Sequence, residues 1–270
     1  LLAASKDESL RAWLTGDAFP PYEVLPPALQ SRWIDGSCLP SQPLAADEVR
    51  RAAAEETAAW HLIFGPPPTV AVPPTCVWTQ AVEAAWVSAG VEVIITPGRR
   101  CTHRDASGQP AGEEYPIHNG QRTGEDARYL VRDIYFEPER GHTAAEALEA
   151  AHQRFLLGRP ALLETHRSNF IGTVADCQQS LARLDELLRT ALQRWPGLAF
   201  LSPVTLARIY ADHPAEWCAS GLGARLHLLL RRLETVSRLR KLAWLTGLAV
   251  PAALVRAFTA PAARRAGIAV

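Results

Sequence analysis

The fold is decided in residues 69–96, which read TVAVPPTCVWTQAVEAAWVSAGVEVIIT. The β-branched run at residues 69–72 predicts a strand, and residues 91–96 predict a second one. Between them, residues 80–89 have the apolar spacing of a helix, and Gly90 stands where such a helix ends. A strand, a helix and a strand in succession favour parallel strands joined by a helical crossover.

The same alternation of strands and helices continues to residue 212. Five predicted strands favour an α/β fold with a parallel-stranded (β/α) barrel-like domain, and a closed barrel needs roughly seven or eight strands. We therefore expect an incomplete barrel. In this part of the chain we predict strands at residues 129–136, 161–165 and 198–201, a helix capped by Thr143 with Glu146 in a capping box, a helix at 176–195, and an N-cap at Ser202 before Pro203.

Pro and Gly residues that interrupt regular secondary structure divide the 270 residues into three segments. Residues 1–68 are predicted to be helical and interrupted by proline, with helices at 9–15 and 47–64. Residues 69–212 form the βα-repeat core, and residues 213–270 form a helical extension. Because the sequence begins at Leu1 and contains no Met, we expect it to be a piece of a longer translation product.

Composition excludes several classes of protein. Lys and Arg total 28 and Asp and Glu total 28, so no net charge attracts the chain to a nucleic acid. The five cysteines are odd in number and form no C-x-x-C pair, which argues against a disulfide framework and a zinc ribbon. No signal peptide is visible, and we expect a cytoplasmic protein.

The extension at residues 213–270 differs from the rest of the chain. Residues 223–243 predict one basic amphipathic helix, and residues 242–258 are mostly apolar but too short to span a bilayer. Two interpretations remain open. The segment 223–258 packs on the domain as a helical pair, or it contacts a membrane surface or a partner protein.

Polar residues follow the predicted strands, where parallel sheets bind ligands. His166 follows the strand ALLET and suits general acid–base catalysis, and Glu164 shares its strand face at i and i+2. Arg167 and Asn169 are donors for oxyanions or sugar hydroxyls. The alternative for His166 is an ordinary hydrogen-bonded structural histidine.

Other strand ends and loops offer further substrate-binding candidates. Trp78 follows the first strand and could stack on a sugar ring, and the long loop after residue 96 contains His118 and Asn119. Asp133 and Glu137 could act as acid and base or bind a metal ion, with a solvated strand end as the alternative. No zincin, α/β-hydrolase, P-loop or dinucleotide motif is present.

The segments VAVPPTCVWTQAVEAAWVSAGVEVIITPG, YLVRDIYFEPE, RPALLETHRSNFIGT and RWPGLAFLSPVTL, in this order, resemble the later part of bacterial proteins of the polysaccharide deacetylase-like superfamily, which have the glycoside hydrolase/deacetylase fold. The resemblance covers residues 55–212. It implies a distorted (β/α) barrel and one divalent metal ion, zinc or similar, whose ligands are not identified in this sequence. His166 matches the family's general acid, and Pro73 and Pro74 loosely match a turn that lines the site.

This resemblance implies metal-assisted removal of acetyl groups from an N-acetylated sugar or polysaccharide. The early family motifs, which supply the base and the metal ligands, do not occur in residues 1–68. A non-catalytic sugar-binding or scaffold protein of envelope polysaccharide assembly is therefore the alternative, with Trp78, Tyr115 and Tyr135 as stacking platforms. A third hypothesis is glycoside hydrolysis by a carboxylate pair such as Glu137 and Glu164.

Overall fold

The computed structural model describes residues 33–35, 38–112, 115–170, 173–219, 221–252 and 254–255. The helix predicted at residues 9–15 lies outside these ranges. The α-helices are α1 (Ala46–Phe64), α2 (Gln80–Ser88), α3 (Ala144–Leu156), α4 (Val174–Arg194), α5 (Pro203–Asp212), α6 (Leu222–Thr235) and α7 (Ser237–Leu245).

The strands are short and form several small sheets. Two antiparallel pairs, β1 with β2 and β5 with β6, accompany two parallel groups, β3-β4-β7 and β8-β9. The fold is therefore mixed α/β with parallel strands, as the sequence predicts. The strands are β1 (Ile34–Asp35), β2 (Gln42–Pro43), β3 (Val70–Ala71), β4 (Val93–Thr96), β5 (His103–Arg104), β6 (Pro110–Ala111), β7 (Arg128–Val131), β8 (Ile134–Tyr135) and β9 (Leu163–Glu164).

The chain divides into two compact units. The first contains the described residues up to Val131 together with Leu201–Ala211, and the second contains Arg132–Phe200 and the described residues from Asp212 onward. The boundary between the two units lies between β7, which ends at Val131, and β8, which begins at Ile134.

In the first unit, β4 lies between β3 and β7, and all three strands are parallel. Helix α2 connects β3 to β4, which is the crossover predicted from residues 69–96. Buried apolar side chains from α1, α2 and the sheet form one core, in which Trp33 and Trp86 meet edge to face at 5.2 Å. Val93 and Ile94 are adjacent in β4 and so lie on opposite faces of the sheet, and both are buried, as expected of a central parallel strand.

In the second unit, β8 and β9 pair in parallel, with Ile134 opposite Leu163 and Tyr135 opposite Glu164. Helices α3 and α4 cover the pair through a core that includes Phe136 and Leu187. Helix α3 begins as predicted, since Thr143 Oγ1 accepts a hydrogen bond from Glu146 N while a carboxylate oxygen of Glu146 accepts from Thr143 N.

Three predicted elements need correction. The predicted strand at residues 129–136 is two strands, because Arg132 and Asp133 leave the first ladder and Asp133 N donates to Leu162 O. Residues 198–201 form no strand in the described structure, since Leu198 N closes a turn on Trp195 O. The predicted helix at 223–243 is divided into α6 and α7 by Val236, whose φ of −82° and ψ of 109° are extended.

The predicted barrel is not confirmed, since the described strands form small separate sheets and no closed barrel. The largest of these sheets, β3-β4-β7, has three strands. The elements adjacent to its strands in the chain are helices and two-stranded pairs. Among the described residues, no helix is both long and apolar enough to cross a membrane.

Candidate functional site

The candidate site lies at the carboxyl ends of β8 and β9 in the second unit. Phe136 N donates to Glu164 O at 2.8 Å, so the parallel pairing continues one residue beyond β8. Glu137 and His166 each lie two residues beyond the last pair of the ladder, Tyr135 and Glu164. Because the two strands run in the same direction, their exits bring these side chains to the same edge.

Glu137 and His166 form the central pair of the site. Nδ1 of His166 lies 2.6 Å from Oε1 of Glu137, and a carboxylate only accepts hydrogen bonds, so Nδ1 is the donor. Glu137 is buried, whereas the His166 side chain is 41% exposed. The pair therefore combines a fixed internal carboxylate with an imidazole that solvent reaches, which is an arrangement that catalytic histidines use.

Asn169 holds the second oxygen of Glu137. Its Nδ2 donates to Glu137 Oε2 and to His166 O, and its Oδ1 accepts from Glu139 N at 3.1 Å. Asn169 is itself buried in the short helical turn Arg167–Phe170. The amide was expected to bind substrate, but its polar atoms are used inside the protein, so Asn169 orients Glu137.

Glu164 faces the other nitrogen of the same imidazole. Its Oε1 lies 3.5 Å from His166 Nε2 and 3.0 Å from Arg132 Nη1. The two side chains therefore meet, as expected from their spacing, although β9 itself ends at Glu164. The other oxygen, Glu164 Oε2, is buried and has no hydrogen-bond donor in the part of the chain that the structure describes. An unsatisfied buried carboxylate oxygen is costly, so this oxygen is an acceptor available to a ligand or water.

Asp133 lies beside the site and is paired within the protein. Its Oδ2 is 2.7 Å from Arg154 Nε, and its Oδ1 accepts from Leu162 N at 3.4 Å. Burial raises the pKa of Asp133, and the positive charge of Arg154 opposes that shift only partly. This aspartate therefore ties α3 to the strand pair.

Trp78 has no exposed surface, so the position of its ring does not fit a sugar-stacking wall. It lies in the core of the first unit, and its Nε1 donates to Glu83 Oε1 at 2.7 Å. The same carboxylate oxygen accepts from Arg100 Nη1 at 2.8 Å and from the Tyr129 hydroxyl. A buried carboxylate needs such partners, and Trp78 is one of them.

His118 and Asn119 also belong to the first unit and not to the unit of His166. His118 is exposed, and Asn119 Oδ1 accepts from Val131 N at 2.6 Å, which holds the end of β7. The second unit thus brings together Glu137, Glu164, His166 and Asn169, with Arg167 exposed in the following turn.

Two residues of the site were not identified from the sequence. Arg132 pairs with Glu164, and His142 Nδ1 accepts from Glu137 N at 3.2 Å. The signal for Arg132 is its charge in the middle of the apolar run YLVRDIYF, because a charged residue is rarely buried unless it is paired. His142 offers no comparable pattern.

Comparison with protein-family models, with curated proteins and with solved structures finds no match for this chain. The functional argument therefore depends on the geometry of the site.

The divalent metal ion implied by the resemblance does not fit the residues of this site. Glu137 and Glu164 approach opposite nitrogens of the His166 ring, so their oxygens do not converge with a free nitrogen on one point. In the described ranges, no group of three or more His, Cys, Asp or Glu side chains could hold a metal ion. We assign no chemical step to a metal.

Proposed function

We propose that this protein is a carbohydrate-active hydrolase that removes the acetyl group from an N-acetylated sugar or polysaccharide, with His166 as general acid. The observation that carries the proposal is the contact between the solvent-exposed imidazole of His166 and the buried carboxylate of Glu137. A carboxylate at Nδ1 sets the orientation of the ring, as it does in sites where a histidine transfers a proton. The resemblance to deacetylase-like proteins supplies the substrate class.

The reaction can be written with the groups at hand. Water adds to the acetamide carbonyl carbon and loses one proton to the Glu164 carboxylate, whose Oε2 accepts no hydrogen bond from the described residues. The carbon–nitrogen bond then breaks, and the leaving amine takes a proton from the His166 imidazolium. Proton transfer from Glu164 to His166 Nε2, 3.5 Å from Oε1, restores the starting state. The products are acetic acid and the free amino sugar, and proton transfer between them gives acetate and the ammonium form of the sugar.

Arg167 and Tyr135 are the proposed contacts to the sugar. Arg167 is exposed in the turn directly after His166, where its guanidinium can donate to the developing oxyanion or to a hydroxyl. Tyr135 is 49% exposed and lies opposite Glu164 in the strand pair. Tyr135, which the sequence already suggested as a stacking platform, therefore offers an exposed aromatic ring at this strand end, whereas Trp78 does not.

The proposal includes a barrel-like arrangement of the parallel strands. It is supported by the two parallel groups β3-β4-β7 and β8-β9 and by the helical connection between β3 and β4. A crystal structure of the protein tests it. Additional parallel strands adjoining β3 or β9 are expected, and their absence would exclude a barrel.

Acetate release from N-acetylglucosamine oligosaccharides tests the activity. We expect the wild-type chain to release acetate, and His166→Asn to lower the rate by about 10²- to 10⁴-fold, the usual contribution of a general acid. The matched control is His61→Asn, which changes an exposed histidine of the first unit and should leave the rate unchanged. Each assay is run with a chelator and with added Zn²⁺.

The second candidate is sugar binding without catalysis, which the exposed ring of Tyr135 also favours. In that case the oligosaccharide binds, Tyr135→Ala weakens binding, and no acetate appears under any condition. Acetate release that persists in His166→Asn would instead exclude His166 as the general acid. Glycosidic cleavage by Glu137 and Glu164 is not favoured, because His166 and Asn169 occupy both oxygens of Glu137.

A further inference from the structure

Helix α6 is tied firmly to the second unit. Arg232 donates from Nε and Nη2 to Leu157 O, the carbonyl that follows α3, at 3.3 and 3.1 Å. The neighbouring Gly158 has a φ of +63°, and a Cβ at this position would lie 2.9 Å from Leu228. His227 and Leu230 of α6 are buried. Helix α6 is therefore a fixed support for the segment that follows it.

Helix α7 presents apolar side chains to solvent. Only Ala243 of this helix is buried, whereas Trp244 is 68% exposed and Leu245 is 85% exposed. The exposed apolar residues continue after the helix with Leu248 and Val250. Monomeric proteins rarely expose large apolar side chains in such close succession, so this surface is suited to an interaction.

The same segment carries a concentrated positive charge. Residues 236–270 contain six basic residues and no acidic residue, although the whole chain has a formal charge of zero. Three of the six, Arg238, Arg240 and Lys241, are exposed on α7 beside Trp244 and Leu245. Basic side chains interspersed with exposed Trp and Leu are typical of helices that lie at the surface of an anionic bilayer.

We infer that α7 and the apolar residues after it form a peripheral binding surface for anionic lipid membranes. The Trp and Leu side chains enter the interface between headgroups and acyl chains, and the long Arg and Lys side chains reach the lipid phosphates. Charge complementarity selects this occupant, because a second copy of the chain would bring the same positive charge against this surface. The inference is independent of the activity proposed for His166.

Co-sedimentation with lipid vesicles tests the inference. The probes are phosphatidylcholine vesicles with and without phosphatidylglycerol. Wild-type protein is expected to bind the anionic vesicles, to bind the neutral ones much more weakly, and to dissociate as NaCl is raised from about 0.1 to about 1 M, since added salt screens exposed charges. Equal binding to both vesicle types, or binding to neither, would overturn the inference.

Two variants locate the surface on the protein. Replacement of Arg238, Arg240 and Lys241 by Gln is expected to weaken binding about 100-fold, because each basic residue near an anionic surface contributes about 1 kcal/mol. Trp244→Ala is expected to weaken it roughly tenfold through lost apolar burial. The matched control replaces Arg50, Arg51 and Arg208, three exposed arginines of the first unit, by Gln.

All the changed side chains are exposed, so the substitutions are not expected to unfold the protein. A change in vesicle binding therefore reports on the binding surface. If the α7 variant binds as tightly as the wild type, or if the control loses as much affinity as the α7 variant, the surface is elsewhere. Sedimentation velocity provides the remaining comparison. A dimer that Trp244→Ala dissociates, in protein that does not bind vesicles, would show that a second copy covers this surface and would overturn the inference.

Discussion

Glu137 and His166 are 29 residues apart, the same separation as the paired residues Tyr135 and Glu164 of β8 and β9. Their hydrogen bond is thus placed by the register of the strand pair, two residues beyond its last members. A shift of register by one residue would turn one of the two side chains to the other face. The core beneath β8 and β9 therefore sets the geometry of the site.

Glu137→Gln is expected to invert the tautomer of His166. Asn169 Nδ2 already donates to one oxygen of Glu137, so the glutamine oxygen will face Asn169 and its NH₂ group will face His166 Nδ1. Nδ1 then accepts instead of donating. Nitrogen-15 NMR of the neutral ring should show the proton on Nδ1 in the wild type and on Nε2 in the variant. Glu139→Gln is the control, and an unchanged spectrum in Glu137→Gln would contradict the pairing.

Asn169→Ala is expected to lower the free energy of unfolding by about 1–3 kcal/mol, because it leaves a buried carboxylate with one partner fewer. Asn169→Asp should be more destabilising at neutral pH, since it places a second negative charge against Glu137. Urea unfolding measures both. Ser168→Ala changes the same turn without touching Glu137, and equal losses in all three variants would argue against the assigned role of Asn169.

Asp133 predicts a specific pH dependence of stability. Its pKa is raised above the ordinary value of 3.8 by burial, so the folded state binds this proton more tightly than the unfolded state does. Its contribution to stability is present below 3.8 and is lost as pH rises through the folded pKa. Relative to Asp133→Asn, the wild type should therefore gain stability on acidification.

The measurement is urea unfolding of the wild type and of Asp133→Asn at a series of pH values from neutral to below 3.8. The control is Asp185→Asn, which removes the aspartate of an exposed ion pair with Arg189. An exposed pair should give a much smaller difference with pH. A wild type that loses stability relative to Asp133→Asn on acidification would contradict the predicted sign.

Thr143→Ala removes the N-cap of α3 and is expected to cost about 1 kcal/mol of stability. Hydrogen bonds from the backbone N–H and the hydroxyl of Thr143 lower the pKa of Glu146 below 4.5. The stabilisation by Glu146 is therefore present above pH 4.5 and is lost as pH falls through its folded pKa. In thermal unfolding, Glu146→Gln should therefore lack the loss of stability that titration of Glu146 causes as pH falls. The control Glu149→Gln, on the same helix, should still show that loss.

Glu83→Leu tests whether the buried network of the first unit stabilises the fold. The substitution leaves Trp78, Arg100 and Tyr129 without their shared acceptor, and loss of one partner of a buried ion pair costs about 3–5 kcal/mol. Tyr129→Phe removes one donor only and should cost about 1 kcal/mol. Urea unfolding followed by circular dichroism compares them, and a near-neutral Glu83→Leu would show that packing alone sustains this core.

Much of the helical structure was predictable because its signals are local. The capping box of Thr143 and Glu146, the Gly90 stop and the apolar spacing of α4 all lie within a few residues of the elements that they specify. The strand at residues 129–136 was not predicted correctly. Its division depends on the partners of Arg132 and Asp133, which are Glu164 and Arg154 elsewhere in the chain.

The candidate site was predicted in part. His166, Glu164 and Glu137 were selected as polar residues at the ends of apolar strands, and the structure brings these three together. Trp78 and Asn169 were selected for their side-chain chemistry, but both are buried and use that chemistry within the protein. An aromatic or amide residue after a strand carries no local signal of whether it faces solvent.

The sequence by itself determined the α/β class, the positions of the helices between residues 46 and 212 and the polar strand ends, because these follow from residue spacing and from propensities within one segment. Only the tertiary structure decided that Glu137 and Glu164 approach opposite nitrogens of His166, that Asn169 holds Glu137, and that Trp78 is buried. Those relationships join residues from different elements. They depend on strand register and on the packing of each core, which no single segment of the chain specifies.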